Sequence, residues 1–464
     1  MWLVGRSTFF SLPRPAVVSI RTLSSISLSR EPPPCAAFDD AEFLPWLRRK
    51  SGVEISSSLK IGRSEYGRSL FASRFIEGGE CILKIPHNAI TPDKIFPRFN
   101  SLLGDNVSDI GRLALILLSE EKLGLASDWA PYIACLPQMG KLHCTIFWNK
   151  QEMELLRSSS VFHESVQNRN CIKKEFLALI SALKDFTEMT GSLELEKFMH
   201  AYGVVGSRAW DATKQGLSLI PFADFFNHDG YSEACLLSDD DKEVSEVIAD
   251  RNYAPGEEVL ISYGKFSNAT LLLDFGFTLP YNPYDQDTAD LESDVPVQLC
   301  VGLPQYDPLF SNKVELLHRH NMPTTSDTTG PDGARSSFTI KAVRSTDGRG
   351  FPPPLRAFAR VLSATTCQEL ENMAAEAVKR DGRLARFPLG DKNKEVISHR
   401  FLLSKITDLI EEHISAISLL DTKCIGCYQF LHRRKLAKDL LNGELRILHS
   451  AASWLTHYCS TLSA

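Results

Sequence analysis

The chain has 464 residues, 43% of them hydrophobic and 23% charged, with a formal charge of −6 and a pI near 6.1. That length exceeds one ordinary core and predicts two or three domains, while the acidic balance leaves no cationic surplus for phosphates and argues against nucleic acid as the main partner. No apolar run approaches the roughly 18 residues of a membrane span, the densest being residues 113–118, so a soluble protein is expected.

The first thirty residues carry Arg6, Arg14, Arg21 and Arg30, seven serines and no acid before Glu31. This composition suits an organellar transit peptide. Residues 1–32 are expected to direct import and be removed, a disordered N-terminus without an address being the plain alternative. The serines suit a plastid, whereas the Arg-spaced apolar run up to Arg21-Thr22-Leu23-Ser24 suits a mitochondrion. Chloroplast stroma and mitochondrial matrix both stay open.

Short β-rich runs follow at 58–61, 69–75 and 81–85, separated by Tyr66-Gly67-Arg68 and Glu77-Gly78-Gly79. From about 92 to 207 the pattern turns helical. Ile110, Leu113, Leu115, Ile116 and Leu118 form one apolar cluster, and Phe176, Leu177, Ile180, Leu183 and Phe186 are spaced for another. β character returns at 217–226, 244–250 and 258–263, with Asp239-Asp240-Asp241 read as a solvated hairpin turn. A loop-rich link starts near Pro283, and the remainder reads as helices at 355–362, 367–378, 395–419 and 428–455. Eleven scattered cysteines argue for reduced thiols. Cys424-Ile425-Gly426-Cys427 has half the spacing of a zinc site, but no second pair accompanies it, and the apolar pattern of Tyr428, Phe430 and Leu431 favours a helix interior. No metal is implied.

Two segments carry the chemistry. Pro221-Phe222-Ala223-Asp224-Phe225-Phe226-Asn227-His228 is an apolar run closing on a polar pair, and Gly256-Glu257-Glu258-Val259-Leu260-Ile261-Ser262-Tyr263-Gly264 closes on a tyrosine between Ser and Gly. Asn supplies donor and acceptor together, and His can fix a neighbouring strand through either ring nitrogen. A turn residue and a satisfied core His would be the bland reading of an isolated pair.

These segments resemble the paired motifs of SET-domain protein methyltransferases. With Tyr66-Gly67-Arg68-Ser69-Leu70, Trp129-Ala130-Pro131-Tyr132, Ser207-Arg208-Ala209-Trp210 and the C-terminal Arg433-Arg434-Lys435-Leu436, the chain resembles the Rubisco large-subunit methyltransferase branch over nearly its whole mature length. The resemblance implies an α+β fold: a split SET β fold with an inserted helical region, then an all-helical C-terminal substrate-binding domain. The implied division is 33–285 for the SET domain, with its insertion at about 92–207, and 286–464 for the helical domain. It also implies S-adenosylmethionine as cofactor, contacted by Tyr66, Gly67, Arg68, Asn227 and His228. Arg208, Asp224 and Phe275 would lie near substrate, and Tyr263 would be the catalytic residue. Many relatives have a second Gly where Ser69 stands, and some have a Tyr where Phe275 stands.

The implied reaction is methyl transfer to a lysine of a soluble, non-histone protein. A free lysine has a pKa near 10.4, so burial and a nearby sulfonium must favour the neutral amine, which a Tyr hydroxyl can then orient. Protein-histidine methylation and a non-catalytic SET-fold scaffold are the alternatives. Substrate identity, methylation state and oligomeric state are not encoded in these motifs.

Overall fold

The computed structural model describes residues 40–52, 54–87, 103, 106–183, 193–213, 216–239, 241–285, 297–322, 334–343, 348, 350–379, 381–385, 387–422 and 426–463. The expected transit peptide, Phe186 and Cys424 lie outside them.

After helix α1 (Asp40–Ser51), strands β1 (Leu59–Ser64) and β2 (Gly67–Ala72) pair antiparallel, with Ser64 opposite Gly67 and Glu65-Tyr66 at the turn. Gly67 has φ of +103°, which an L side chain rarely adopts. Strand β3 (Cys81–Pro86) is the next element. The helical insertion contains α2 (Asp109–Leu123), α3 (Val161–Ala182) and α4 (Leu195–Arg208). Ser108 caps α2 by accepting from the Gly111 amide. The spacing read in sequence holds in part for α3: Leu183 at its end is buried and Phe176 packs against the same core, together with Ile172 and Leu179, whereas Leu177 is 66% exposed.

The chain then returns to β structure as β4 (Ala209–Thr213), β5 (Gly216–Leu219), β6 (Asn227–His228), β7 (Leu236–Asp239), β8 (Val244–Ile248) and β9 (Leu260–Ile261). The order β3-β8-β7 joins the N-terminal β unit to the returning chain. Asp239 accepts from the amides of Asp241 and Lys242 in the β7–β8 turn, so Asp239 and Asp241 lie in the expected hairpin, while Asp240 is outside the described residues. The run expected as one strand over 217–226 breaks instead at Phe222, a buried residue at φ 76°, ψ −43°. This is close to the strained γ-turn geometry, and its ring lies against Phe43 and Phe225. One large core holds these elements, including Leu70, Ile85, Leu117, Phe198, Phe226 and Ile261.

The C-terminal region contains α5 (Phe310–Arg319), α6 (Pro353–Leu362), α7 (Cys367–Lys379), α8 (Lys392–Asp421) and α9 (Tyr428–Ser463). It also contains an antiparallel hairpin, β10 (Val297–Leu303) with β11 (Ala334–Ile340), where the sequence reading placed only a loop-rich link before helices. The region is therefore mainly rather than wholly helical. Val297, Leu299, Val301 and Leu303 alternate inward, and the first three fill the same core as Phe358, Leu402 and Leu448. Within this region Arg360 and Glu395, both buried, form a two-bond pair at 2.8 and 2.5 Å. Tyr458 and the Leu389 amide donate to the same carboxylate. Cys427 is exposed and precedes α9, so it does not lie in a helix interior as expected.

Start-of-α9 residues lock the two regions together. Arg433 donates to Glu152 at 2.6 Å and to the carbonyls of Phe147 and Leu142 at 3.1 Å. His413 donates through Nδ1 to the Leu409 carbonyl at 2.8 Å and pairs with Glu444 at 2.9 Å, while Ser159 donates to the other Glu444 oxygen. With acceptors at both ring nitrogens, His413 is held as the cation. Burial opposes that charge, but Glu444 outweighs it and the pKa is raised. Its stabilisation is full below about pH 6.5 and is lost as pH rises through the folded value.

His143 and His399 act in the opposite sense. Burial, followed by the neighbouring His432 and Arg433, lowers His143 to about 3, and burial lowers His399 to about 4 despite Glu395. The unfolded chain binds protons at both below about pH 6.5 while the native chain does not. Stability is therefore expected to fall as pH drops from 6.5 toward 4, each group contributing about 1.4 kcal/mol per pH unit. Urea midpoints at pH 7, 6 and 5 should decrease in that order; a midpoint that rises toward pH 5 would contradict these two neutral histidines.

Candidate active site

The parallel pairing of β6 with β9 sets Asn227 opposite Leu260 and His228 opposite Ile261. Two segments distant in sequence thus end side by side, Asn227 and His228 on one and Tyr263 just beyond the other. The Tyr263 amide donates to His228 Nδ1 at 3.1 Å. This fixes the His228 proton on Nε2, a buried atom without a protein partner. Burial lowers the His228 pKa and keeps the ring neutral.

Tyr263 donates its hydroxyl to the Phe226 carbonyl at 2.5 Å. Burial raises its pKa, so the phenol keeps its proton. With that proton committed to Phe226, the Tyr263 oxygen is left with acceptor capacity only. Its ring stacks on His228 at 5.1 Å and meets Phe275 at 5.4 Å, Trp210 edge-on at 5.8 Å and Phe277 at 6.3 Å. The indole N–H of Trp210 is buried and unpartnered.

The Tyr66 to Arg68 turn lies on the same pocket, since Asn227 Nδ2 donates to the Arg68 carbonyl at 3.3 Å. Tyr66 itself is 60% exposed. The Arg68 guanidinium donates to the Cys135 carbonyl and sits 4.9 Å over the Phe225 ring. Ser69 is buried with no partner for its hydroxyl.

Arg208 donates to Asp224 through Nη1, to its carbonyl at 2.8 Å and its carboxylate at 3.3 Å. Tyr132 donates to the same carboxylate oxygen at 3.0 Å. The Asp224 side chain is 0% exposed, so it meets the pocket through Arg208 rather than directly. Its pKa is raised by burial, with Arg208 opposing the shift. The Arg208 Nε and Asp224 Oδ1 are buried and unsatisfied. Orphaned polar atoms at this spot suit a polar ligand with charged ends.

Phe275 closes a single π turn over Leu271–Phe275, and Gly276 follows at φ +79°. A Cβ there would lie 2.6 Å from the Cys144 amide nitrogen. The turn holding Phe275 and Phe277 therefore rests directly on the His143-Cys144 backbone. Gly276→Ala is expected to cost more than about 1 kcal/mol and to displace both rings, lowering turnover; a urea midpoint and turnover equal to wild type would contradict this packing.

The contacts above link Arg68, Arg208, Asp224, Asn227, His228, Tyr263 and Phe275 into one cluster, with Tyr66 and Gly67 beside it in the turn that carries Arg68. Trp210, Glu258, Phe277 and Tyr132 also belong to it and received no role from the sequence. Trp210 and Tyr132 stood inside quoted segments, but only the fold reveals their partners. Among the described residues no group of three or more His, Cys, Asp or Glu could hold a metal ion.

A β unit split by a helical insertion, with one strand end threaded beside another at an Asn-His pair and a Tyr, is the architecture of a SET domain. The SET domain family profile matches residues 67–264, and the profile described as Rubisco LSMT substrate-binding matches residues 304–448. The chain belongs to the SET-domain protein methyltransferases that carry a Rubisco LSMT substrate-binding domain. It is 27% identical to the chloroplastic [fructose-bisphosphate aldolase]-lysine N-methyltransferase of Arabidopsis thaliana, over 69% of this chain and 64% of that one. To human actin-histidine N-methyltransferase it is 25% identical, over 94% of this chain and 72% of the relative. To the chloroplastic Rubisco large-subunit N-methyltransferase of Nicotiana tabacum it is also 25% identical, over 88% and 79%. A solved SET domain of LSMT bound to methyllysine and AdoHcy superposes with a TM-score of 0.66 at 20% identity, covering 91% of this chain and 92% of that one.

Proposed function

We propose that this chain is an S-adenosylmethionine-dependent protein-lysine N-methyltransferase acting on a soluble, non-histone protein. The carrying observation is Tyr263, whose hydroxyl proton is held by the Phe226 carbonyl and whose amide is tied to His228. A phenol so fixed presents lone pairs, not a proton, to whatever enters.

S-Adenosylmethionine supplies an electrophilic methyl group on a sulfonium. Asn227 and His228, with the main chain of Tyr66, Gly67 and Arg68, are assigned to hold it. Arg208, backed by Asp224, offers its unpartnered Nε to a carboxylate. A substrate amine donates an N–H to Tyr263 Oη, which turns the nitrogen lone pair toward the methyl carbon. Walls formed by Trp210, Phe275 and Phe277 exclude water and disfavour the ammonium form. With the cofactor bound, this lone pair would take the methyl group in one displacement, the sulfur keeping the bonding pair, and the methylated ammonium would then lose a proton.

Residues 33–285 would form the catalytic unit and 286–464 the unit that holds the protein substrate. An organellar site, entered by way of residues 1–32, fits the chloroplastic relatives. Histidine methylation is the second reading, supported by the 94% coverage against the actin-histidine enzyme and by the free Trp210 indole N–H, which could donate to a ring nitrogen.

The test incubates purified protein and methyl-labelled cofactor with chloroplast or mitochondrial extract, then locates the label by mass spectrometry. Methyllysine is expected. Methylhistidine would move the assignment to the second reading, and cofactor binding without any transfer would leave a non-catalytic scaffold.

A further inference from the structure

The amide of Asn227 is not free to choose which end it offers a ligand. Its Nδ2 donates to the Arg68 carbonyl at 3.3 Å and to Glu258 Oε1 at 3.3 Å. Both neighbours are acceptors only, since an ionised carboxylate and a carbonyl have no proton to give. Turning the amide over would set its oxygen against two others. The nitrogen is therefore pinned by the protein, and the oxygen Oδ1 is the end left to a ligand. An Asn at this place reads from sequence as donor or acceptor; the fold selects acceptor.

Glu258 is placed for this task by backbone pairing that does not depend on its side chain. It forms an isolated bridge with Phe71, flanked by the bonds from the Ala72 amide to the Glu257 carbonyl and from the Val259 amide to the Leu70 carbonyl. The surroundings are acidic. Burial first, then Glu65, Glu258 and Asp229, raise the pKa of the Tyr66 phenol, which places three carboxylates around the rim residue of the same turn.

Resting on the cofactor reading above, we propose that Glu258 is a positioning residue, which holds Asn227 with its oxygen toward the pocket so that the pocket accepts the cationic amine at the methionine end of S-adenosylmethionine. A neutral donor such as an adenine amino group would satisfy Oδ1 equally but would gain little from the carboxylates. The ammonium gains from both. Arg208 then meets the carboxylate of the same amino-acid end, so opposite charges of the ligand find opposite charges of the chain.

The experiment compares two probes by calorimetric titration: S-adenosylmethionine, and methylthioadenosine, which lacks the amino-acid end. Glu258→Ala is expected to weaken the first by about tenfold and to leave the second unchanged. Glu258→Gln, which keeps an acceptor oxygen beside Asn227 but no charge, should fall between Ala and wild type. If Glu258 acts largely through Asn227, the losses from Asn227→Ala and Glu258→Ala combine to less than their product in the double variant. Equal weakening of both probes, or losses that multiply in the double variant, would overturn the proposal. Wild-type protein that binds neither probe would overturn the cofactor reading itself, a result distinct from either.

Discussion

Replacing Tyr263 by Phe is expected to lower turnover on the protein substrate by about 10²–10⁴-fold, the range for a single orienting or acid–base group. The substitution removes one oxygen and keeps the ring that touches His228, Phe275, Trp210 and Phe277. It also leaves the backbone bond from residue 263 to His228 Nδ1 in place. In the proposed mechanism the hydroxyl meets the amine and not the Asn227 end, so the loss should fall on kcat rather than on cofactor affinity. The Phe226 carbonyl loses its donor, which costs about 1 kcal/mol of stability and is measurable separately by urea unfolding. Wild-type turnover in Tyr263→Phe would remove Tyr263 from the mechanism.

The second large effect is on stability. Arg433 is 2% exposed and satisfies Glu152 and two carbonyls belonging to the SET region from the first turns of α9. Removing one partner of such a buried pair leaves the other charge desolvated and unpaired. Arg433→Ala should cost about 3–5 kcal/mol, visible as a lowered urea midpoint. Glu152 also caps its own short helix by accepting from the Asn149 amide at 2.7 Å, so the damage should extend into the loop carrying His143 and Cys144, on which Gly276 rests. A loss below 1 kcal/mol would mean that the two regions are held mainly by apolar packing, such as the shared cluster of Trp148, Leu156, Leu272 and Leu440.

What the sequence could reveal follows from how each feature is encoded. Asn227, His228 and Tyr263 stand at the ends of short β runs, where unusual residue types interrupt an apolar pattern, and this is readable without coordinates. Their meeting is a matter of parallel register between β6 and β9, and the family resemblance supplied it. Glu258 was not legible as a site residue because one of two adjacent acids in a turn-proximal run looks like solvated charge. Only the hydrogen bond from Asn227 Nδ2 reveals its place. Hairpin β10–β11 was hidden by its polar connection, although Val297, Leu299, Val301 and Leu303 alternate correctly. On α3 the helical spacing placed Phe176 and Leu183 correctly on the core side but promised burial for Leu177 and Ile180 as well, since periodicity cannot say where an apolar stripe stops finding a partner. Cys427 shows the same limit at an element boundary: the apolar pattern after it belongs to α9, which begins one residue later.

The most direct test of the pocket is calorimetric titration of the wild-type chain with S-adenosylmethionine, run beside Asn227→Ala and Tyr263→Phe. The account predicts saturable binding at one site per chain, weakened in Asn227→Ala by about tenfold or more through the loss of a buried polar partner, and close to wild type in Tyr263→Phe. Wild-type protein that binds no cofactor, or an Asn227→Ala variant that binds it undiminished, would contradict it.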